Sequence, residues 1–335
     1  MKKISLALVL VSLFFVLMLS SCAKSTLTAV ATAVPTYSYS DLVSVTGGTF
    51  TQADGTNWFD HTISDFKIGK YKVTYDLWYT VKTWALSNGY TFANLGKEGS
   101  DGAIGVTPTS AKYEPVAAVN WRDAIVWCNA YSVMSSLTPV YCTDAGYMTP
   151  IKTSTNSSSI NSAAGSEDNP YVSWSANGYR LLTEGEWQYA ASWKGTDSSN
   201  GAVQYGTSGT YWTPYNYASG ATVDYNDVTA TSAVAWYSVN SGNVTHNVGG
   251  KNANALGIYD MSGNLYEWCW DWFGGYPGPS TNYKGQESSA VRLIRGHCYS
   301  TGAVGMQIGY RDGQVPKFVG DGDNSVIGFR IARTN

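Results

Sequence analysis

The stretch Asn254-Ala-Leu-Gly-Ile-Tyr-Asp-Met-Ser-Gly-Asn-Leu-Tyr-Glu-Trp-Cys-Trp-Asp271 decides the fold. A tight turn, Asp260-Met-Ser-Gly263, leads into a run where Trp268, Cys269 and Trp270 crowd together, and that apolar neighbourhood predicts a core position for the Trp268 ring. Two phrases follow it, Arg292-Leu-Ile-Arg-Gly296 and Gly328-Phe-Arg-Ile-Ala-Arg333. One precedes it, Gly178-Tyr-Arg-Leu-Leu-Thr-Glu-Gly-Glu-Trp-Gln-Tyr-Ala190. Within that phrase Thr183 to Glu186 reads as a capping box, in which the hydroxyl accepts from the Glu186 amide while the Glu186 side chain reaches back. Leu182 and Trp187 flank the box at staple positions, so a short structural helix is expected there.

Working outward, Thr74 to Leu86 predicts a helix: Thr74 N-caps it, Leu77, Val81 and Ala85 recur on one face, and Asn88-Gly89 stops it. Asn120 begins a second, with Trp121, Ala124, Ile125 and Cys128 as its apolar stripe. Strands are expected at Leu42 to Val45, His61 to Ile68, Val291 to Arg295 and Ile327 to Arg333. After Ala190 the helical period fades into Gly-, Ser-, Asn- and Tyr-punctuated loops, and Thr153 to Ser166 reads as an exposed low-complexity insertion.

The N-terminus reads as a targeting segment. Lys2 and Lys3 precede the apolar run Ile4 to Leu19, and Leu19-Ser-Ser-Cys22 reads as a lipobox, giving a signal peptide over 1–21 and a lipidated Cys22. Two or more acyl chains would anchor the chain stably, since each buried methylene contributes about 0.8 kcal/mol. Residues 22–41, rich in Ser, Thr, Ala and Val, read as a flexible tether. The expected location is therefore the bacterial envelope, at the outer-membrane surface. Charged residues make up only 13% and the net charge is −3, so no basic footprint points to nucleic acid. Aromatics are abundant instead, with 25 Tyr and 13 Trp, which suits both a loop-rich fold and a binding surface. Cys128, Cys142, Cys269 and Cys298 have no spacing that dictates a pairing, and buried free thiols are favoured.

Together with Gly47-Gly-Thr-Phe50, Ile68-Gly-Lys-Tyr-Lys-Val-Thr74 and the span Pro115 to Asn129, these phrases resemble the formylglycine-generating-enzyme branch of the C-type lectin fold. The resemblance implies an α+β, loop-rich domain over 42–335 whose first and last strands lie close together. Fold alone does not assign activity, which belongs to the site. Oxidases of this family carry a copper-binding cysteine pair after the Arg-Gly phrase, and the matching positions here hold Thr301 and Met306. Neither a hydroxyl nor a lone thioether replaces a thiolate pair for a soft metal. Related iron enzymes need a histidine set, whereas His61, His246 and His297 are not spaced as ligands. No catalytic residues are assigned, and no cofactor is required. In calcium-binding members the loop matching 260–267 supplies oxygen ligands, so the resemblance implies a structural calcium held by the carboxylates of Asp260 and Glu267 and the carbonyls of Gly263 and Leu265. The alternative is that both carboxylates only accept hydrogen bonds within the turn.

Between Gly296 and Gly328 the composition changes character, with a period of neither two nor 3.6. Ala303, Met306, Gln307, Ile308, Gly309, Arg311, Gly313, Gln314, Pro316 and Lys317 look like framework. The remainder belong to the residue set reachable when adenines of an AAC or AAT codon are replaced. That pattern, at this end of this scaffold, resembles the variable proteins of diversity-generating retroelements. It implies a variable segment over 297–326 whose ligand-binding residues are His297, Cys298, Tyr299, Ser300, Thr301, Gly302, Val304, Gly305, Tyr310, Asp312, Val315, Phe318, Val319, Gly320, Asp321, Gly322, Asp323 and Asn324. His297, Tyr299, Tyr310, Asp312 and Phe318 are expected to share one solvent-facing patch. The function so read is noncovalent binding of a protein, favoured over a glycan, by a lipid-anchored display protein. The rivals are a metal-dependent oxidase of the same fold and a structural envelope lipoprotein.

Overall fold

Local capping chemistry places the helices. In the computed structural model, which describes residues 41–320 and 326–335, Thr74 accepts from the Leu77 amide and starts the helix Tyr75–Leu86. Trp78, rather than Leu77, is its fully buried anchor. Asn120 and Asp123 form a reciprocal capping box at the head of Trp121–Met134. That helix is buried nearly all round through Ser132, as a helix surrounded by its own domain must be. Trp78 and Trp127 stack with centroids 6.0 Å apart, and Phe329 meets both edge-on, which joins the two helices to the end of the chain. The Thr183–Glu186 capping box forms as expected and opens Glu184–Ser192, with Arg180 paired to both Glu186 oxygens at 2.7 Å. A fourth helix, Val228–Val234, capped by Asp227, falls where the sequence predicts only loops. Its seven residues are too few for a period to show.

Two four-stranded sheets hold the site. One runs Leu42–Val45, Phe66–Gly69, Ile331–Thr334, Tyr179–Leu181, so the first and last strands flank a common neighbour. The other runs Asp312–Gln314, Arg292–Arg295, Tyr266–Trp272, Ile327–Phe329. The expected strand Ile327 to Arg333 is thus two strands in two sheets, broken at Arg330 because its side chain turns into the protein to meet Glu267. The expected strand His61 to Ile68 also breaks, at Ser64-Asp65, where Asp65 leaves the ladder to accept from the Gly47 amide. Trp268 is fully buried, and its indole N–H donates to the Val119 carbonyl.

The Thr153 to Ser166 insertion is more organised than its composition suggests. The buried Arg122 guanidinium pairs with Asp168 and collects the carbonyls of Thr155, Ser157 and Ser159, so one framework cation shapes a loop whose outer residues are exposed. Cys128, Cys142, Cys269 and Cys298 are all buried free thiols. The expected signal peptide, Cys22 and the tether as far as residue 40 lie outside the described residues, as do Asp321, Gly322, Asp323 and Asn324.

Candidate functional site

The face formed by residues 297–320 is pinned from beneath through its main chain. Arg295, fully buried on its strand, donates to the carbonyls of Ile308, Gly309 and Tyr310, the last at 2.6 Å. The hydroxyls of Ser241 and Ser262 donate to the carbonyls of Tyr299 and Met306, and the Ser238 amide to that of Thr301. Tyr217 and Tyr215 accept from the amides of Ile308 and Gly309, and Pro316 accepts from the Trp121 amide. Met306 and Ile308 anchor the segment in the core, and Arg311 reaches inward to Glu184 at 2.6 and 2.9 Å. These anchors satisfy buried backbone groups without using the outward side chains.

Ser300, Gly302, Val304 and Tyr310 are exposed; Thr301, Asp312, Val315, Phe318, Val319 and Gly320 are half-buried. His297, Cys298 and Tyr299 are buried, contrary to the expected solvent-facing patch. Gly296 and His297 both have left-handed backbone, with φ of +85° and +56°, which turns the chain inward before Ser300 brings it back out. Tyr299 packs with Ala117, Leu265 and Cys298 as part of the core. Phe318 likewise packs on the main core. Gly305 is framework, because a Cβ there would lie 2.6 Å from His297 Nδ1.

Behind the exposed positions stands a wall of three rings, with Tyr310 exposed, Tyr266 half-buried and His297 buried. His297 Nδ1 and the Tyr266 hydroxyl share a 2.8 Å hydrogen bond, and Tyr310 meets the imidazole edge-on at 4.4 Å. Burial, reinforced by Arg295, lowers the His297 pKa to about 4, so the ring is neutral at physiological pH. Its Nε2 is buried and has no hydrogen-bond partner. Burial raises the Tyr266 phenol as well, and Cys298 and Asp312 nearby push the same way, so it stays protonated. Tyr266 was missed in the sequence because it belongs to the scaffold phrase. Its signal is strand alternation: with Glu267 inward, Tyr266 faces the other way. The wall offers hydrogen bonds and ring surface, with no charged acid–base pair.

Of the two positions that hold cysteines in the copper enzymes, Met306 is fully buried among Ala218, Ala221, Val234, Ala235 and Tyr237. Thr301 contacts Cys298 Sγ at 3.2 Å, and Ser300 does so at 3.3 Å. Among the described residues no three His, Cys, Asp or Glu side chains are grouped to hold a metal ion.

The expected calcium ligands do not fit the ion. Both Glu267 oxygens are taken: Lys72 Nζ lies 2.6 Å from Oε1, Arg330 contacts both oxygens, and the Trp187 indole N–H donates to Oε2 at 2.9 Å. Burial opposes ionisation of Glu267, but Arg330 and Lys72 outweigh it and hold the carboxyl below its ordinary range. Asp260 accepts from the Gly249 amide through Oδ2, and burial raises its pKa.

A match over residues 28–335 to the sulfatase-modifying factor enzyme 1-like domain shows that the chain belongs to that family. It is 34% identical over 281 residues to the chaperone protein LppX of Paenibacillus barcinonensis, covering 76% of each chain. Among solved structures it is similar to Treponema denticola variable protein 1, at 25% identity and a TM-score of 0.64, over 88% of this chain and 95% of that one. CarF matches at 25% identity and a TM-score of 0.58, covering 88% and 98%. The α+β lectin-type fold and the resemblance to the Treponema variable protein are thereby established as likenesses of this chain.

Proposed function

We propose that this domain binds a partner noncovalently, without turnover, through the face built by Ser300, Thr301, Val304, Tyr310 and Asp312 around the Tyr266–His297 wall. The observation that carries the reading is how the face is held. Arg295, Ser241, Ser262 and the 215–217 backbone grip main-chain atoms, so outward side chains can change without disturbing the bonds that set the loop. Loops so positioned by a rigid scaffold are the usual carriers of binding. Similarity to a Treponema variable protein supports diversification of the segment, and similarity to a protein named as a chaperone supports a polypeptide partner over a glycan. A lipid anchor at Cys22 would display the face at the envelope surface.

The locus tests diversification. A near-copy of the codons for 297–326 beside a reverse-transcriptase gene, differing at adenines, supports it; invariance of those codons across sister isolates, with no such copy, overturns it. A chemical test separates binding from oxidation. The purified protein is expected neither to bind Cu(I) tightly nor to convert a sulfatase-type cysteine peptide, and turnover above a metal-free control would refute the binding-only reading.

A further inference from the structure

The misfit at the 260–267 turn has a positive side. We propose that the Lys72 ammonium takes the place of the divalent cation there, as an internal counter-ion that makes the turn of this protein independent of calcium, and that removing it uncovers a latent cation site.

The placement of Lys72 carries this. Its side chain is wholly buried and 2.6 Å from Glu267 Oε1, and its charge also acts on Asp260, the other carboxylate of the expected ligand set. The ammonium therefore pairs with Glu267 directly and is close enough for its charge to be felt by Asp260, the two carboxylates expected to hold the ion. Arg330 completes the set, donating to Glu267 at 2.9 Å and to the carbonyls of Gly69 and Tyr259. Two buried cations and two buried carboxylates balance. A divalent ion added to that set would leave an uncompensated double charge in a dry interior, which is strongly unfavourable. Without Lys72 the balance reverses. Glu267 keeps Arg330 and the Trp187 indole, while Asp260 retains an oxygen, Oδ1, that is buried with no partner. Excess negative charge and a free carboxylate oxygen beside a tight glycine turn are what a hard, oxygen-seeking cation binds.

Calcium chloride is the probe, and thermal unfolding of the mature chain and its Lys72→Ser variant is the readout. An ion that binds only the folded state raises the midpoint in proportion to its excess over the dissociation constant. The unsubstituted protein is expected to melt at the same temperature in calcium and in EGTA. Lys72→Ser should melt lower in EGTA and recover by several degrees in millimolar calcium. The recovery should vanish in Lys72→Ser with Asp260→Asn, which separates this site from ions bound elsewhere. A calcium-dependent midpoint in the unsubstituted protein, lost on Asp260→Asn, overturns the proposal. So does a Lys72→Ser protein that calcium does not rescue, whether it folds or not.

Discussion

The strand Tyr266–Trp272 and the segment Ser300–Gly320 lie in one part of the fold, yet they are held in opposite ways. Along the strand, side chains make the bonds: Glu267 meets Lys72, Arg330 and Trp187, the Trp268 indole meets Val119, and Asp271 accepts from the Glu184 amide at 2.7 Å. Along the segment, framework groups grip the backbone and leave Ser300, Val304 and Tyr310 facing solvent. A substitution in the first region strands a partner in a dry interior, whereas one at Ser300, Val304 or Tyr310 strands nothing. One fold can therefore be rigid in sequence on one side and permissive on the other.

The largest expected effect lies in the strand. Trp268→Ala removes a buried ring and the partner of the Val119 carbonyl, and should lower stability by roughly 3–5 kcal/mol in denaturant titration. A smaller loss would mean the strand tolerates change and would blur the contrast. Next comes Tyr299→Ser, which belongs to the core although it sits within the segment read as variable. A cost of about 3 kcal/mol is expected, and near-neutral behaviour would move Tyr299 back among the variable positions.

Asp271 gives a pH-dependent effect. Burial, with Glu184 adding to it, raises its pKa from 3.8 to about 8, so the folded state holds a proton that the unfolded chain releases above its own pKa. Stability should therefore fall as pH rises through that window. Asp271→Asn keeps an oxygen for the Glu184 amide and needs no proton, so its advantage over the unsubstituted protein should grow, on the order of 2 kcal/mol, between about pH 5 and about pH 6.5. Parallel unfolding curves at both pH values would show that Asp271 is already ionised. The smallest effect belongs to the face: Ser300→Tyr, Val304→Asp and Tyr310→Ser should each change stability by no more than about 0.5 kcal/mol while altering what is bound. A triple variant as unstable as Trp268→Ala would make the face structural.

The helices Tyr75–Leu86, Trp121–Met134 and Glu184–Ser192 were legible because their signals are local. Thr74, Asn120 and Thr183 announce starts within three residues of their partners. The break at Arg330 was not legible, since its cause is a carboxylate 63 positions away. Nor was the pairing of Lys72 with Glu267, 195 positions apart, although a lysine between Tyr71 and Val73 in an apolar phrase is a hint that a partner exists. In the candidate site, the lack of a regular period in 297–320 hides the short strand Asp312–Gln314 and does not separate exposed from buried positions. The two left-handed residues at 296 and 297 send His297, Cys298 and Tyr299 inward, and nothing in a Gly-His pair announces that direction.

The divided last strand bears on the order in which the domain can be made. Ile331–Thr334 is an interior strand of one sheet, and Ile327–Phe329 supplies the parallel neighbour of Tyr266–Trp272 in the other. Neither sheet can close during synthesis until these residues have left the ribosome. The fold can therefore lock only at the end of synthesis, once the residues up to Thr334 are free to pair with strands laid down near its beginning.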